Sequence, residues 1–343
     1  MYAYYYSLEI LRRHGIIVCG VNMAFALSKN IDILKKMEKE LYAGLGACML
    51  CPRRCGADRT AGPGSCGADD SLRVALYSPF MFEEPPISGT RGAGNVFFSN
   101  CNLRCVYCQN YEISQEGKGV PVTAEELADM FIELEGRGCH NINLVSPTPY
   151  LPFIVTALIQ AFERGFELPV VYNTNGYELP ATLGIIALFA DIFLPDVKYA
   201  SRDIAARLSG APDYPEHAFG AVMKMVEAAG HLETDEKGIA VSGVIVRHLV
   251  LPGFTDESKR VLRELRRYAG RYVYLGLMSQ YTPVYKALRM PPLDRTLTAA
   301  EYEDVSEEMS RCGFINGWVQ ETDSADPGYI PEFFSDKMQL FGK

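Results

Sequence analysis

The sequence predicts an α/β fold, an open or partial TIM-like barrel of six β/α units preceded by a cysteine-rich metal-binding segment. Three observations carry this reading. After about residue 90, short β-rich runs alternate strictly with helical stretches, polar residues follow each run directly, and seven of the ten cysteines lie between positions 48 and 108. Strict alternation implies parallel strands joined by crossovers. Six units are too few to close an eight-stranded barrel. Hydrophobic residues at 48% and charged residues at 22% suit a folded globular chain. The net charge of −9 offers a phosphate backbone no general attraction, which argues against nucleic acid as the main partner.

Residues 1–45 read as a helical extension, with an amphipathic stretch over 31–45. Arg12 and Arg13 precede an apolar run over 15–27 that resembles the basic and hydrophobic regions of a signal peptide. The run is too short to span a bilayer, and clustered thiols suit a reducing compartment, so the expectation is a cytoplasmic protein without a membrane partner. An over-long start, with translation beginning at Met23 or Met37, is the other reading of this segment. Residues 46–90 hold Cys48, Cys51, Cys55 and Cys66 among many Gly, Pro and Arg residues and little apolar periodicity. Four thiolates on a segment without a core suit a closed metal site, because metal binding then supplies the folding free energy. Zinc and an iron–sulfur cluster both fit that chemistry. The Cys51-Pro52 pair and the adjacent cysteine triplet favour a second cluster.

The barrel is expected over 91–290, with strands near Val96, 142–145, 170–172, 192–194, 241–246 and 272–277 and helices near 123–136, 150–164, 180–189, 215–230 and 256–269. Residues at strand C-termini are then the reactive ones. Residues 291–343 are read as a helix over 298–311 and an aromatic, acidic tail. That tail, with Trp318, Tyr329, Phe333 and Phe334, suits either the open side of the barrel or the cysteine-rich block. The basic face of Lys259, Arg260, Arg263, Arg266 and Arg267 reads as solvated, and Glu307 and Glu308 as surface charge. His248, beside Arg247, is the one histidine expected to face the pocket.

Cys101, Cys105 and Cys108 form a CxxxCxxC triplet directly after the first barrel strand. Three thiolates close neither a tetrahedral zinc site nor all four corners of a cubane. An iron left open can bind a substrate or cofactor, and a low-potential cluster can deliver one electron to it. A zinc site completed by a distant His or Cys is the alternative.

The run CNLRCVYCQN resembles the cluster loop of radical S-adenosylmethionine (radical SAM) enzymes, particularly the pyruvate formate-lyase activating enzyme family, over roughly residues 91–290. The resemblance implies that Cys101, Cys105 and Cys108 ligate a [4Fe-4S] cluster whose fourth iron chelates the methionine moiety of S-adenosylmethionine, with Tyr107 against the adenine. Relatives usually carry Gly-Gly-Glu after the second strand. Here Ser146-Pro147-Thr148-Pro149 stands there, so contacts to the cofactor's amino group fall to backbone carbonyls and the Ser146 or Thr148 hydroxyl. Asn173-Thr174-Asn175 and Asp196-Val197-Lys198 resemble the polar ends of the third and fourth strands. Lys198 suits the cofactor carboxylate, Arg247 is expected to reach the same group, and Gln280 stands where relatives often have a histidine near the ribose.

The implied activity is reductive cleavage of S-adenosylmethionine to a 5′-deoxyadenosyl radical. The implied partners are a one-electron donor such as flavodoxin or ferredoxin and a protein substrate, either a glycyl radical enzyme or a peptide. The rival readings are an iron–sulfur electron carrier and a zinc-stabilised interaction protein, neither of which cleaves the cofactor.

Overall fold

The computed structural model describes residues 29–320 and Phe333. Expectations for residues 1–28, Tyr329 and Phe334 lie outside the described residues. Helix α1 (Ile31–Ala43) is N-capped by Asn30, whose Oδ1 accepts from the Ile33 amide, and it buries Ile33, Leu34, Met37 and Leu41. Residues 44–72 carry only a 3-10 turn and loops. Strand β1 (Arg73–Phe80) follows, then the short helix α2 (Pro85–Ser88) and strand β2 (Ala93–Phe98), which pairs antiparallel with β1. The sequence marks Val96 as the first strand and reads the stretch before it as a connector. That is corrected by β1, whose Pro79 falls near the strand end, where a missing amide is tolerated.

Helix α3 (Tyr111–Ser114) and strand β3 (Val120–Pro121) come next, and β3 pairs with the far side of β1. The alternating part runs through α4 (Ala124–Gly136), β4 (Ile142–Val145), α5 (Leu151–Glu163), β5 (Val170–Thr174), α6 (Pro180–Ile186), β6 (Ile192–Pro195), α7 (Arg202–Ser209) and α8 (Tyr214–Ala229). It ends with β7 (Glu233–Thr234), β8 (Ala240–Leu249), α9 (Thr255–Ala269), β9 (Tyr274–Met278), α10 (Ala299–Cys312) and β10 (Asn316–Val319). The sheet order is β10-β9-β8-β6-β5-β4-β2-β1-β3, with β7 beside β8. Every neighbour from β2 to β10 along that path is parallel. The sheet is open, and all six expected barrel strands are present in it.

Parallel strands covered on both faces read as continuous apolar runs. Accordingly β2, β5 and β6 are buried at every position. Capping boxes start α4 (Thr123 with Glu126) and α10 (Thr298 with Glu301), each stabilising its helix by roughly 1 kcal/mol.

The basic face of α9 is exposed at Arg260, Arg263 and Arg267, while Lys259 pairs with Asp304 at 2.5 Å, Arg263 with Glu308 at 2.7 Å, and Arg266 donates to the Cys312 carbonyl at 3.1 Å. One surface expectation is corrected. Glu308 is correspondingly buried rather than surface charge. The reason is the pairing of α9 with α10, which no single-helix pattern reveals.

Candidate active site

Strand β2 ends where Asn100 adopts a left-handed φ of 65° and turns the chain into the cysteine loop. Asn100 Nδ2 donates to the Tyr150 hydroxyl at 2.7 Å. The loop has no regular structure of its own and is pinned by its neighbours. The Arg104 and Val106 amides donate to the Ser209 and Leu208 carbonyls at the end of α7, at 3.0 and 2.9 Å, and Asn102 Nδ2 donates to the Tyr177 carbonyl at 2.9 Å.

Cys101, Cys105 and Cys108 thereby line one cavity of about 570 Å³. Each sulfur has a polar neighbour: Asn175 Nδ2 at 3.3 Å from Cys101, Ser209 Oγ at 3.0 Å from Cys105 and Ser114 Oγ at 3.2 Å from Cys108. Burial pushes all three thiols up, Cys108 to about 12, while the Lys198 ammonium acts in the opposite sense on Cys101 and Cys105. Buried thiols of this kind become thiolates when a metal supplies the compensating charge. Among the described residues no three Cys, His, Asp or Glu side chains are drawn tightly enough together to share one ion. A tetrahedral ion needs its thiolates within about 4 Å of one another, whereas a cubane takes each thiolate at a different corner. The three buried thiols on one cavity suit three corners of such a cubane, with its fourth corner left open.

The strand ends converge on the same cavity. Tyr107, Ser146, Asn173, Asn175, Asp196, Lys198, Arg247 and Gln280 all line it. Tyr107 is buried, its hydroxyl paired with that of Tyr199 at 2.6 Å. Asp196 is the hub: Oδ1 accepts from Arg247 Nε at 2.8 Å and Oδ2 from Lys198 Nζ at 2.7 Å. Burial would raise the Asp196 carboxyl, but the two cations outweigh it and hold it below the usual range. Burial likewise opposes the charge on Lys198, and Asp196 overrides it. Arg247 also donates from Nη1 to Glu83 at 3.2 Å and from Nη2 to Asn173 Oδ1 at 2.7 Å.

Thr148 and His248 stand apart from this set. Thr148 Oγ1 donates to Glu178 Oε1 at 2.6 Å, buried away from the cavity. His248 follows Arg247 on β8, and alternation along a strand turns it to the opposite face. There its Nδ1 lies 2.7 Å from the Val197 carbonyl, which corrects the expectation that it faces the pocket.

Sequence reasoning missed Glu83 and Glu84. Both line the cavity from the connector after β1, and only the antiparallel return of β1 brings them there. Of the tail's described residues, Trp318 lines the cavity and Phe333 packs edge-on against Phe97 at 5.3 Å.

The cysteine-rich block lies against the cysteine loop. Arg53 donates to the carbonyls of Asn102, at 2.8 Å, and Gly210, while Arg104 donates to those of Ser65 and Cys101. The sulfurs of Cys55 and Cys66 both border Gly64, 3.5 and 3.7 Å from where a side chain there would begin. Cys48 and Cys66 are buried, Cys51 is half-buried and Cys55 is exposed.

The family model of the radical SAM superfamily matches residues 95–265. Over 286 residues the chain is 26% identical to an uncharacterized protein of Methanocaldococcus jannaschii, covering 81% of this chain and 77% of that protein. It is 27% identical over 175 residues to the pyruvate formate-lyase-activating enzyme of Clostridium pasteurianum, covering 50% of this chain and 66% of that enzyme. Among solved structures, Streptococcus suis SuiB bound to precursor peptide SuiA aligns with a TM-score of 0.42 and 12% identity, over 64% of this chain and 46% of that one. The chain thus spans about half the length of that structure. Among the described residues no helix is long and apolar enough to cross a membrane. The matched span begins within β2 and takes in the cysteine loop and strand ends through Arg247, so the chain belongs to the radical SAM superfamily, which implies S-adenosylmethionine and a [4Fe-4S] cluster.

Proposed function

We propose that this protein holds a [4Fe-4S] cluster on Cys101, Cys105 and Cys108 and acts through S-adenosylmethionine on a protein or peptide substrate. When bound, the reduced cluster supplies the electron that splits the cofactor's carbon–sulfur bond and yields a 5′-deoxyadenosyl radical. The observation that carries this is the convergence of three thiols and the Asp196–Lys198 pair on one cavity.

The chain's own part is positioning and shielding. Asn175, Ser209 and Ser114 place donors beside the sulfurs. Lys198 uses one donor on Asp196 and keeps its ammonium charge in the cavity, where a cofactor carboxylate can meet it. Arg247 is tied to Asp196, Glu83 and Asn173, so its role in this reading is to hold Asp196 rather than to bind the cofactor. Tyr107, Ser146, Asn173, Asn175 and Gln280 supply the remaining wall. The open sheet edge and the likeness to an enzyme that activates pyruvate formate-lyase support a protein substrate, with a flavodoxin or ferredoxin as electron donor.

Cys48, Cys51, Cys55 and Cys66 are assigned here to a second metal centre, a cluster in preference to zinc. Support comes from the bonds of Arg53 to the Asn102 carbonyl and of Arg104 to the Ser65 carbonyl, which keep the block against the cysteine loop. Iron and zinc are counted in the reconstituted chain and in Cys48→Ser; loss of part of the metal is expected, and unchanged content removes Cys48 from the ligand set.

Anaerobic reconstitution followed by dithionite and S-adenosylmethionine tests the main reading. The parent chain is expected to release 5′-deoxyadenosine and Cys105→Ala to fall to background; equal release from both overturns the cluster assignment.

A further inference from the structure

β1 runs antiparallel to β2 and pairs Phe80 with Ala93, so the segment after β1 reaches the cavity from the N-terminal end of β2, opposite the cysteines. Six residues of strand separate the two ends, roughly 20 Å. Glu83 and Glu84 line the cavity there, with different fates. Glu83 is fully engaged: Oε1 accepts from Asn95 and Asn143 at 3.0 Å each, and Oε2 from Arg247. Glu84 is 7% exposed, and Arg247, the cation that acts on its carboxyl, makes its ion pairs with Glu83 and Asp196 instead. The Trp318 indole, on the same cavity wall, favours the Glu84 carboxylate. The charged residues of the lining are three acids (Glu83, Glu84, Asp196) against two bases (Lys198, Arg247). The approach is aromatic, with Phe80, Phe97 and Trp318 on the wall and Phe82, 58% exposed, at the mouth.

A carboxyl group buried without an ion pair is costly to keep unless a ligand meets it. A surplus acid beside electron-rich rings recognises an organic cation, by charge and by cation–π attraction. We propose that Glu84 anchors an ammonium or guanidinium group of the substrate, as carried by a lysine or arginine side chain, against Trp318. This deepens the proposed function, resting on it for the cavity being the reaction chamber.

Ionisation of Glu84 follows from the same surroundings. Burial raises its carboxyl to about 7, Arg247 and Trp318 opposing and Glu83 and Asp196 adding to the rise. An incoming cation then favours the carboxylate, so binding strengthens as pH rises through neutrality.

Trp318 is the chain's single tryptophan and reports on this spot directly. The reconstituted full-length chain is titrated with n-butylammonium and n-butylguanidinium, with n-butanol and butyrate as neutral and anionic controls, following indole emission at pH 6 and pH 8. The expected result is a saturable change with the cations alone, tighter at pH 8, and weakened by about tenfold or more in Glu84→Gln. Butanol matching the cations, or Glu84→Gln binding as tightly as the parent, overturns the proposal. The comparison of cation with alcohol needs no variant, so a poorly folded Glu84→Gln leaves a decisive readout. The titration involves no turnover, so its failure and failure of the cofactor-cleavage assay are separate results.

Discussion

Asp196 shows how much of the site depends on one carboxylate. It neutralises Lys198 and Arg247 at once, and Arg247 in turn holds Glu83 and Asn173. Removing one partner of a buried ion pair leaves an uncompensated charge, typically costing about 3–5 kcal/mol. Asp196→Ala is therefore expected to destabilise the fold by that order in urea unfolding, with Asp196→Asn falling between it and the parent. A cost near zero would mean that water, not Asp196, carries the two cations. The sign with pH also follows. The Asp196 carboxyl is held below its ordinary value, so its contribution is present above that value and lost as pH falls through the folded one. Sequence made Asp196, Lys198 and Arg247 legible because each directly follows a β-rich run. The sequence did not show that they bind one another, since pairing across β6 and β8 is a property of the sheet. Thr148 is similar: its hydroxyl serves Glu178, thirty residues along the chain, a contact made only by the fold.

At the level of elements, the six barrel strands were readable because a parallel strand covered on both faces is a nearly continuous apolar run. β1 and β10 were not. β1 lies beside prolines that read as a connector, and β10 is four residues, Asn-Gly-Trp-Val, inside an aromatic tail. β10 pairs with β9 through Gly317, which sits opposite Leu275 with a φ of 134°. A side chain at Gly317 would begin 2.2 Å from the Leu275 carbonyl oxygen, which no rotamer relieves. Gly317→Ala is therefore expected to unpair β10 and release Trp318 from the cavity wall. Emission of the single tryptophan should shift to the red, with hydrogen exchange rising in residues 316–319 and not in β5. Unchanged emission would show that β10 tolerates the substitution and that Trp318 is not held by this pairing. The loss of the Glu83 and Glu84 signal belongs to the same scale, because only the antiparallel turn of β1 carries these acids to the cavity.

Across the whole molecule, the cysteine-rich block and the barrel meet at a buried acid. Glu178 follows the β5 strand end, is fully buried, and accepts through Oε1 from Thr148 at 2.6 Å and from Thr174, while Oε2 has no partner among the described residues. On the other side, Thr182 Oγ1 donates to the Leu50 carbonyl, joining α6 to the loop between Cys48 and Cys51. Burial raises the Glu178 carboxyl from 4.5 to about 7, the Thr148, Thr174 and Tyr172 hydroxyls opposing. The folded chain therefore holds a proton that the unfolded chain releases near 4.5. Stability contributed by that proton is complete below 4.5 and is lost as pH rises through about 7, a change on the order of 3 kcal/mol. Glu84 acts in the same direction. Denaturant unfolding of the reconstituted chain at pH 5 and pH 8 should find it weaker at pH 8, and Glu178→Gln should remove part of that difference. The amide cannot ionise, so the variant should be the more stable chain at pH 8 and the less stable at pH 5, where its extra donor meets the position in which Oε2 had no partner. Identical pH slopes for the two chains would show that Glu178 is ionised in the fold already at pH 5, and that the junction of block and barrel is held without its proton.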